Sequence, residues 1–133
     1  MVLTPTLANT GGSSPFTTSL PFTHTSGTFT LPFALTITST SGYTLAAGTI
    51  ALSTFTLTTP AFISSNSGVR SINFGTGKII LNGNTTATIW DISTTANFTV
   101  LGSAPLVECQ GGGIGVTKTL STGTTLAEAN TIS

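Results

Sequence analysis

No Asp, Glu, Lys or Arg occurs before Arg70, so the first half of this chain must build and cover a core without ions. The stretch GTFTLPFALTITSTSG, residues 27–42, shows how. Apolar residues alternate with hydroxyls: Phe33, Leu35 and Ile37 fall on one phase, Ala34, Thr36 and Thr38 on the other. A period of two belongs to a strand with one buried face. Thr is β-branched and suits a pleated surface better than a helix. The chain has 31 Thr and 15 Ser among 133 residues, whereas charged residues make up 5%, against roughly 25% in an ordinary globular domain. Disorder usually couples low hydrophobicity to high net charge. Here hydrophobics reach 38% and the formal net charge is zero, so a folded chain is expected.

The same charge count excludes partners. The cations are Arg70, Lys78 and Lys118. Three scattered cations cannot make the basic face that displaces counterions from phosphate, so no nucleic acid and no anionic membrane surface is expected as a partner. No apolar run approaches the ~20 residues of a spanning helix. The opening MVLTPTLANTGGSSP has neither a basic n-region nor an apolar h-region, so no signal peptide is expected. Cys109 is the only cysteine and leaves no intramolecular disulfide. The sequons at Asn84 and Asn97 then read as chance matches in a Thr-rich chain.

Gly and Pro punctuate the strand-like segments. TIALSTFTLTT (49–59) alternates with a phase shift between Leu52 and Phe55, which predicts a bulge, and Pro60 ends it. The second half reads as a meander: VRSINF, Gly75-Thr76-Gly77, KIIL, Asn82-Gly83, TTATIW, then NFTVL (97–101), LVECQ (106–110) and VTKTL (116–120). Asn-Gly predicts a type I′ hairpin. These features predict an all-β fold: a β-sandwich, jelly roll or barrel of about eight to ten short antiparallel strands. Residues 1–15 are expected to form an extended arm, 16–120 the β domain, and 121–133 a tail in which Thr125-Leu126-Ala127-Glu128 matches a capping box for a short helix. Leu-Pro-Phe occurs at 20–22 and again at 31–33, but no fixed period continues, so no solenoid is expected.

No constellation of residues points to catalysis, a cofactor or a metal. Gly75-Thr76-Gly77-Lys78 lacks the upstream Gly of a phosphate loop and is followed by Ile79. GGGIG (111–115) lacks a βαβ setting. His24, the only histidine, has no partner set at ligand spacing. Cys109 reads as a buried, inert thiol. Asp91 and Glu108 could pair for glycosidic work, but with only three carboxylates each is expected to serve a backbone donor or a cation. Trp90 and Tyr43 could stack on a sugar, with core packing the expected role. Thr-x-Thr recurs at 36–40, 54–58, 86–88 and 117–119. Ranks of such pairs resemble the ice-binding face of some antifreeze proteins. Those faces come from coils of fixed repeat length, so a solvated or neighbour-facing surface is expected here instead.

An uncharged strand surface invites association, because charges are what keep edges apart. Thr suits such a contact: its methyl packs, its hydroxyl bonds across strands, and no ion must be dehydrated. Size, Thr/Gly richness, the arm and the missing signal peptide together resemble small all-β virion proteins of bacterial or archaeal viruses, of the capsid decoration, cement or spike-base type. The resemblance implies a non-enzymatic structural protein of the virion, a homo-oligomer such as a trimer, seated on a capsid or other protein lattice. An extracellular filament or adhesin subunit using donor-strand exchange is an alternative expectation, as is a carbohydrate- or ice-binding β module.

Overall fold

A computed structural model describes residues 15–85, 87–111 and 117–122. The chain winds as a three-sided parallel solenoid. Successive strands fall on three sheets in turn. Sheet A holds Phe16–Thr18 (β1), Leu35–Ile37 (β4), Thr56–Thr59 (β7), Lys78–Leu81 (β10) and Val107–Cys109 (β13). Sheet B holds Phe22–His24 (β2), Tyr43–Leu45 (β5), Phe62–Ile63 (β8), Ala87–Asp91 (β11) and Lys118–Ser121 (β14). Sheet C holds Thr28–Thr30 (β3), Gly48–Ala51 (β6), Arg70–Asn73 (β9) and Phe98–Leu101 (β12). Every neighbouring pair runs parallel.

The expected antiparallel sandwich, jelly roll or barrel of eight to ten strands is therefore wrong: among the described residues fourteen strands form three all-parallel sheets. The expectation against a solenoid is wrong as well. Coil length varies, because Phe16 faces Leu35 nineteen residues on while Trp90 faces Leu120 thirty residues on. The variation lies in corner loops, such as residues 64–69 and 92–97, so no fixed sequence period betrays the repeat.

The turn signals were real but mark corners rather than hairpins. Asn82-Gly83 carries the chain from sheet A to sheet B, and neither residue has the positive φ of a type I′ turn. Gly83 is needed for another reason: a Cβ there would lie 2.5 Å from the Pro60 carbonyl oxygen of the coil beside it. Gly75-Thr76-Gly77 turns from sheet C to sheet A, with Gly75 at φ +56° and an added Cβ 2.3 Å from the Ser53 carbonyl oxygen. The phase shift between Leu52 and Phe55 is likewise a corner, where the Phe55 N–H donates to the Leu52 carbonyl at 2.9 Å and Ser53 takes φ +59°. The ladder's register break instead lies between Thr88 and Trp90, in β11.

Inside, residues stack in columns. Leu35, Leu57 and Ile79 form one, Ile50 and Ile72 another, all fully buried. Sheet B contributes an aromatic column, Phe22, Tyr43, Phe62 and Trp90, with centroids 5.1, 5.5 and 5.0 Å apart. Rings stacked at strand spacing bury large apolar area and gain further from ring–ring contact. The expected arm, apart from Pro15, and the expected tail and helical turn beyond Thr122 lie outside the described residues.

Candidate interaction surface

The alternation that fills the core also sets what each sheet shows outward. On sheet C the outward columns are Thr28, Thr49, Ser71, Thr99 and Thr30, Ala51, Asn73, Leu101, with no charged residue in either. The Thr49 and Ser71 hydroxyls are bonded at 2.6 Å, so neighbouring coils share hydroxyl contacts along the column. Sheet A begins as Thr17, Thr36, Thr58 and ends in Ile80 and Glu108. Sheet B runs Thr23, Thr44, Ile63, Asp91, Ser121. The exposed hydroxyl surface is thus charge-free on one side of the solenoid and sparsely charged on the others.

The ions among the described residues are engaged locally. Lys78 donates to Glu108 at 2.8 Å across neighbouring strands of sheet A, and Gln110 also donates to Glu108. The Lys78 bond, then that from Gln110, holds the Glu108 carboxyl below the usual carboxylate range. Lys118 donates to the carbonyls of Gln110 and Gly111. Asp91 Oδ1 accepts the N–H of Ser93. Asp91 and Glu108 stand on different sheets, so the structure does not bring them together as a carboxylate pair.

Arg70 is the residue that sequence reasoning missed. It is 1% exposed, and all five guanidinium N–H groups are used. Nε donates to Gly68 O at 2.8 Å, Nη1 to Ser64 O and Oγ, and Nη2 to Thr94 O and Ala96 O at 2.8 and 2.9 Å. The guanidinium lies 5.4 Å from the Phe98 ring centroid. Among the described residues it forms no ion pair; backbone carbonyls take its charge. Burial lowers its pKa, yet guanidinium stays protonated at any accessible pH. Arg70 thereby clamps the loops over 64–69 and 92–97 onto the coil. The signal was present in the sequence: Arg70 shares its phase with Ile72 and Phe74, both core residues.

The remaining candidates are structural. His24 is buried; its Nε2 lies 2.8 Å from Ser26 O, and its Nδ1 lies 3.1 Å from Tyr43 Oη. A carbonyl cannot donate, so Nε2 carries a proton, and in the neutral ring the Tyr43 hydroxyl donates to Nδ1. Burial pushes the Tyr43 hydroxyl above its ordinary range. Tyr43 and Trp90 belong to the interior aromatic column, so they form no sugar-stacking platform. Cys109 is half-buried and unpaired; burial raises its thiol pKa, partly offset by Lys118. Gly75-Thr76-Gly77-Lys78 is a corner, and residues 112–115 of GGGIG lie outside the described residues. No group of His, Cys, Asp and Glu among the described residues is placed to hold a metal, and none of their helices is long and apolar enough to cross a membrane.

No family model, no curated protein and no solved structure matches this chain.

Proposed function

We propose that this chain is a virion structural protein, a short β-solenoid that works by packing against copies of itself and against a capsid or other protein lattice. The observation that carries the reading is the outer surface of sheet C: eight outward ladder residues, none charged, with the Thr49 and Ser71 hydroxyls of neighbouring coils bonded to each other. A contact made from Thr and Ser needs no ion dehydrated, whereas burying an unpaired charge costs several kcal/mol. Repeated over many copies, that difference favours a hydroxyl surface. Two observations test the reading. Genes for a capsid protein or terminase beside this one, and capsid-associated density for it in micrographs of purified particles, are expected. A metabolic gene neighbourhood and isolated small particles would overturn it.

A second reading has its own observation. Thr28, Thr49, Ser71 and Thr99 stand in one column at the ~4.8 Å spacing of adjacent strands, a rank of hydroxyls like that of an ice-binding surface, on coils of unequal length. Thermal hysteresis in dilute protein solution would favour it; freezing-point behaviour no different from that of buffer would exclude it.

A further inference from the structure

The two ends of the solenoid match each other. At the first-strand end the inward residues are Phe16 on sheet A, Phe22 on sheet B and Phe29 on sheet C, all half-buried. At the other end they are Val107 on sheet A and Leu120 on sheet B, half-buried, and Val100 on sheet C, 41% exposed. Between them the same columns are buried throughout. These six side chains are less buried than the columns between them, and among the described residues no further rung lies over them.

Among the described residues the backbone is unpaired in the same places. Phe16 N–H donates to Ala34 O and Thr18 O accepts from Thr38, so in β1 it is Thr17 whose N–H and C=O point away from the solenoid. In β2, Phe22 donates to Gly42 and His24 accepts from Ala46, which leaves Thr23 pointing outward in the same way. Such edges are usually guarded by Lys, Pro or a bulge within the strand. β1, β2 and β3 contain no charge, no proline and no register break. At the opposite end the charges of Glu108 and Lys118 are already held by Lys78 and by backbone carbonyls.

We propose that a second copy of this chain docks head-to-tail on these ends, with its β1 beside β13 and its β2 beside β14, so that sheets A and B run on from copy to copy. The inference rests on the assembly reading above and gives it surfaces and a polarity. A second copy is the occupant that presents parallel strands at the spacing of this three-sided frame together with an apolar set to cover Val107 and Leu120. Among the described residues sheet C has four strands where the others have five, so between described strands one strand's width separates β12 from the next copy's β3 beside the exposed Val100. Each end covers only about 300–400 Å², given strands of three or four residues and sheets ~10 Å apart, well below a standing dimer interface of roughly 800 Å² a side. Isolated pairs are therefore weak, and the contact gains strength from repetition. Because it is heterologous, the contact propagates along the solenoid axis and does not close on itself.

Sedimentation velocity on the full chain tests this. The double variant Thr17→Pro, Thr23→Pro removes the two outward N–H donors without touching the ladder inside one copy. Its circular dichroism and melting are expected to stay close to those of the parent, and its association to weaken at least about tenfold. Independently, Thr17→Glu would stand beside Glu108 of the next copy and weaken association up to about fivefold. Mixing it with Glu108→Lys would restore association, because alternating copies pair the new charges. If the parent chain associates and neither the double variant nor Thr17→Glu changes that, head-to-tail docking is overturned while the assembly reading stands. If the parent chain never associates, both are overturned.

Discussion

Replacing Arg70 by Met keeps the length of the buried stem and removes all five donors. The cost follows from which acceptors are stranded. The Ser64 carbonyl is buried and loses the charged donor outright, at about 1–3 kcal/mol for a group left unpaired in the interior, while the Ser64 hydroxyl keeps its bond to the Leu45 carbonyl. The carbonyls of Gly68, Thr94 and Ala96 are only part-buried and regain water, so each costs about 0.5–1 kcal/mol. The sum is about 2.5–6 kcal/mol, a large share of the 5–15 kcal/mol that holds a typical domain folded. With a urea slope of about 2 kcal/mol/M the midpoint should fall by roughly 2 M. Arg70→Lys should recover less than half, since one ammonium offers three donors from a single point rather than a planar fork. Loss should begin locally, with amide hydrogens of residues 64–69 and 92–97 exchanging faster than those of β4 and β7. An Arg70→Met protein within about 1 kcal/mol of the parent would refute the clamp.

Other consequences are equally direct. Gly83→Ala should destabilise by about 1–3 kcal/mol, within the usual range for overpacking, because the new Cβ meets the Pro60 carbonyl at 2.5 Å; thermal melting reads it, and an unchanged melt would show that the corner can open. Tyr43 titrates higher in the folded chain than in the unfolded one, so its contribution is complete below the unfolded value of about 10 and is lost as pH rises through the folded one. Between those limits stability should fall by about 1.4 kcal/mol per pH unit, and Tyr43→Phe should remove that dependence in alkaline urea titrations. Cys109, with its thiol pKa raised by burial, should alkylate more slowly at pH 8 than a free thiol and reach the free rate in urea; equal rates in the folded state would contradict its placement.

The strands were legible in the sequence and the topology was not. Leu35/Ile37 and Ile72 alternate with polar neighbours because each sheet buries one face, and that is as true of a solenoid wall as of a sandwich. Gly75, Gly77 and Gly83 announced turns, but a glycine says only that the chain bends closely, not whether it doubles back or rounds a corner. The visible Leu-Pro-Phe repeat misled, since Phe22 heads the aromatic column of sheet B while Phe33 packs on Phe16 at 6.0 Å beside sheet A. The true repeat is Phe22, Tyr43, Phe62, Trp90: aromatic in each case, but at spacings that follow loop length. Of the surface, the hydroxyl character could be read directly; its sorting into one charge-free face required the register that puts Thr28, Thr49, Ser71 and Thr99 in line.

The most direct measurement of an exterior built for contact without ions is the sedimentation of the full chain over a hundredfold concentration range at 20 mM and 500 mM salt. The account predicts a mass that climbs with concentration along the same curve in both buffers, because sheet C and the first-strand end carry no charge for salt to screen. A constant single-copy mass throughout, or association that disappears in the higher salt, would contradict it.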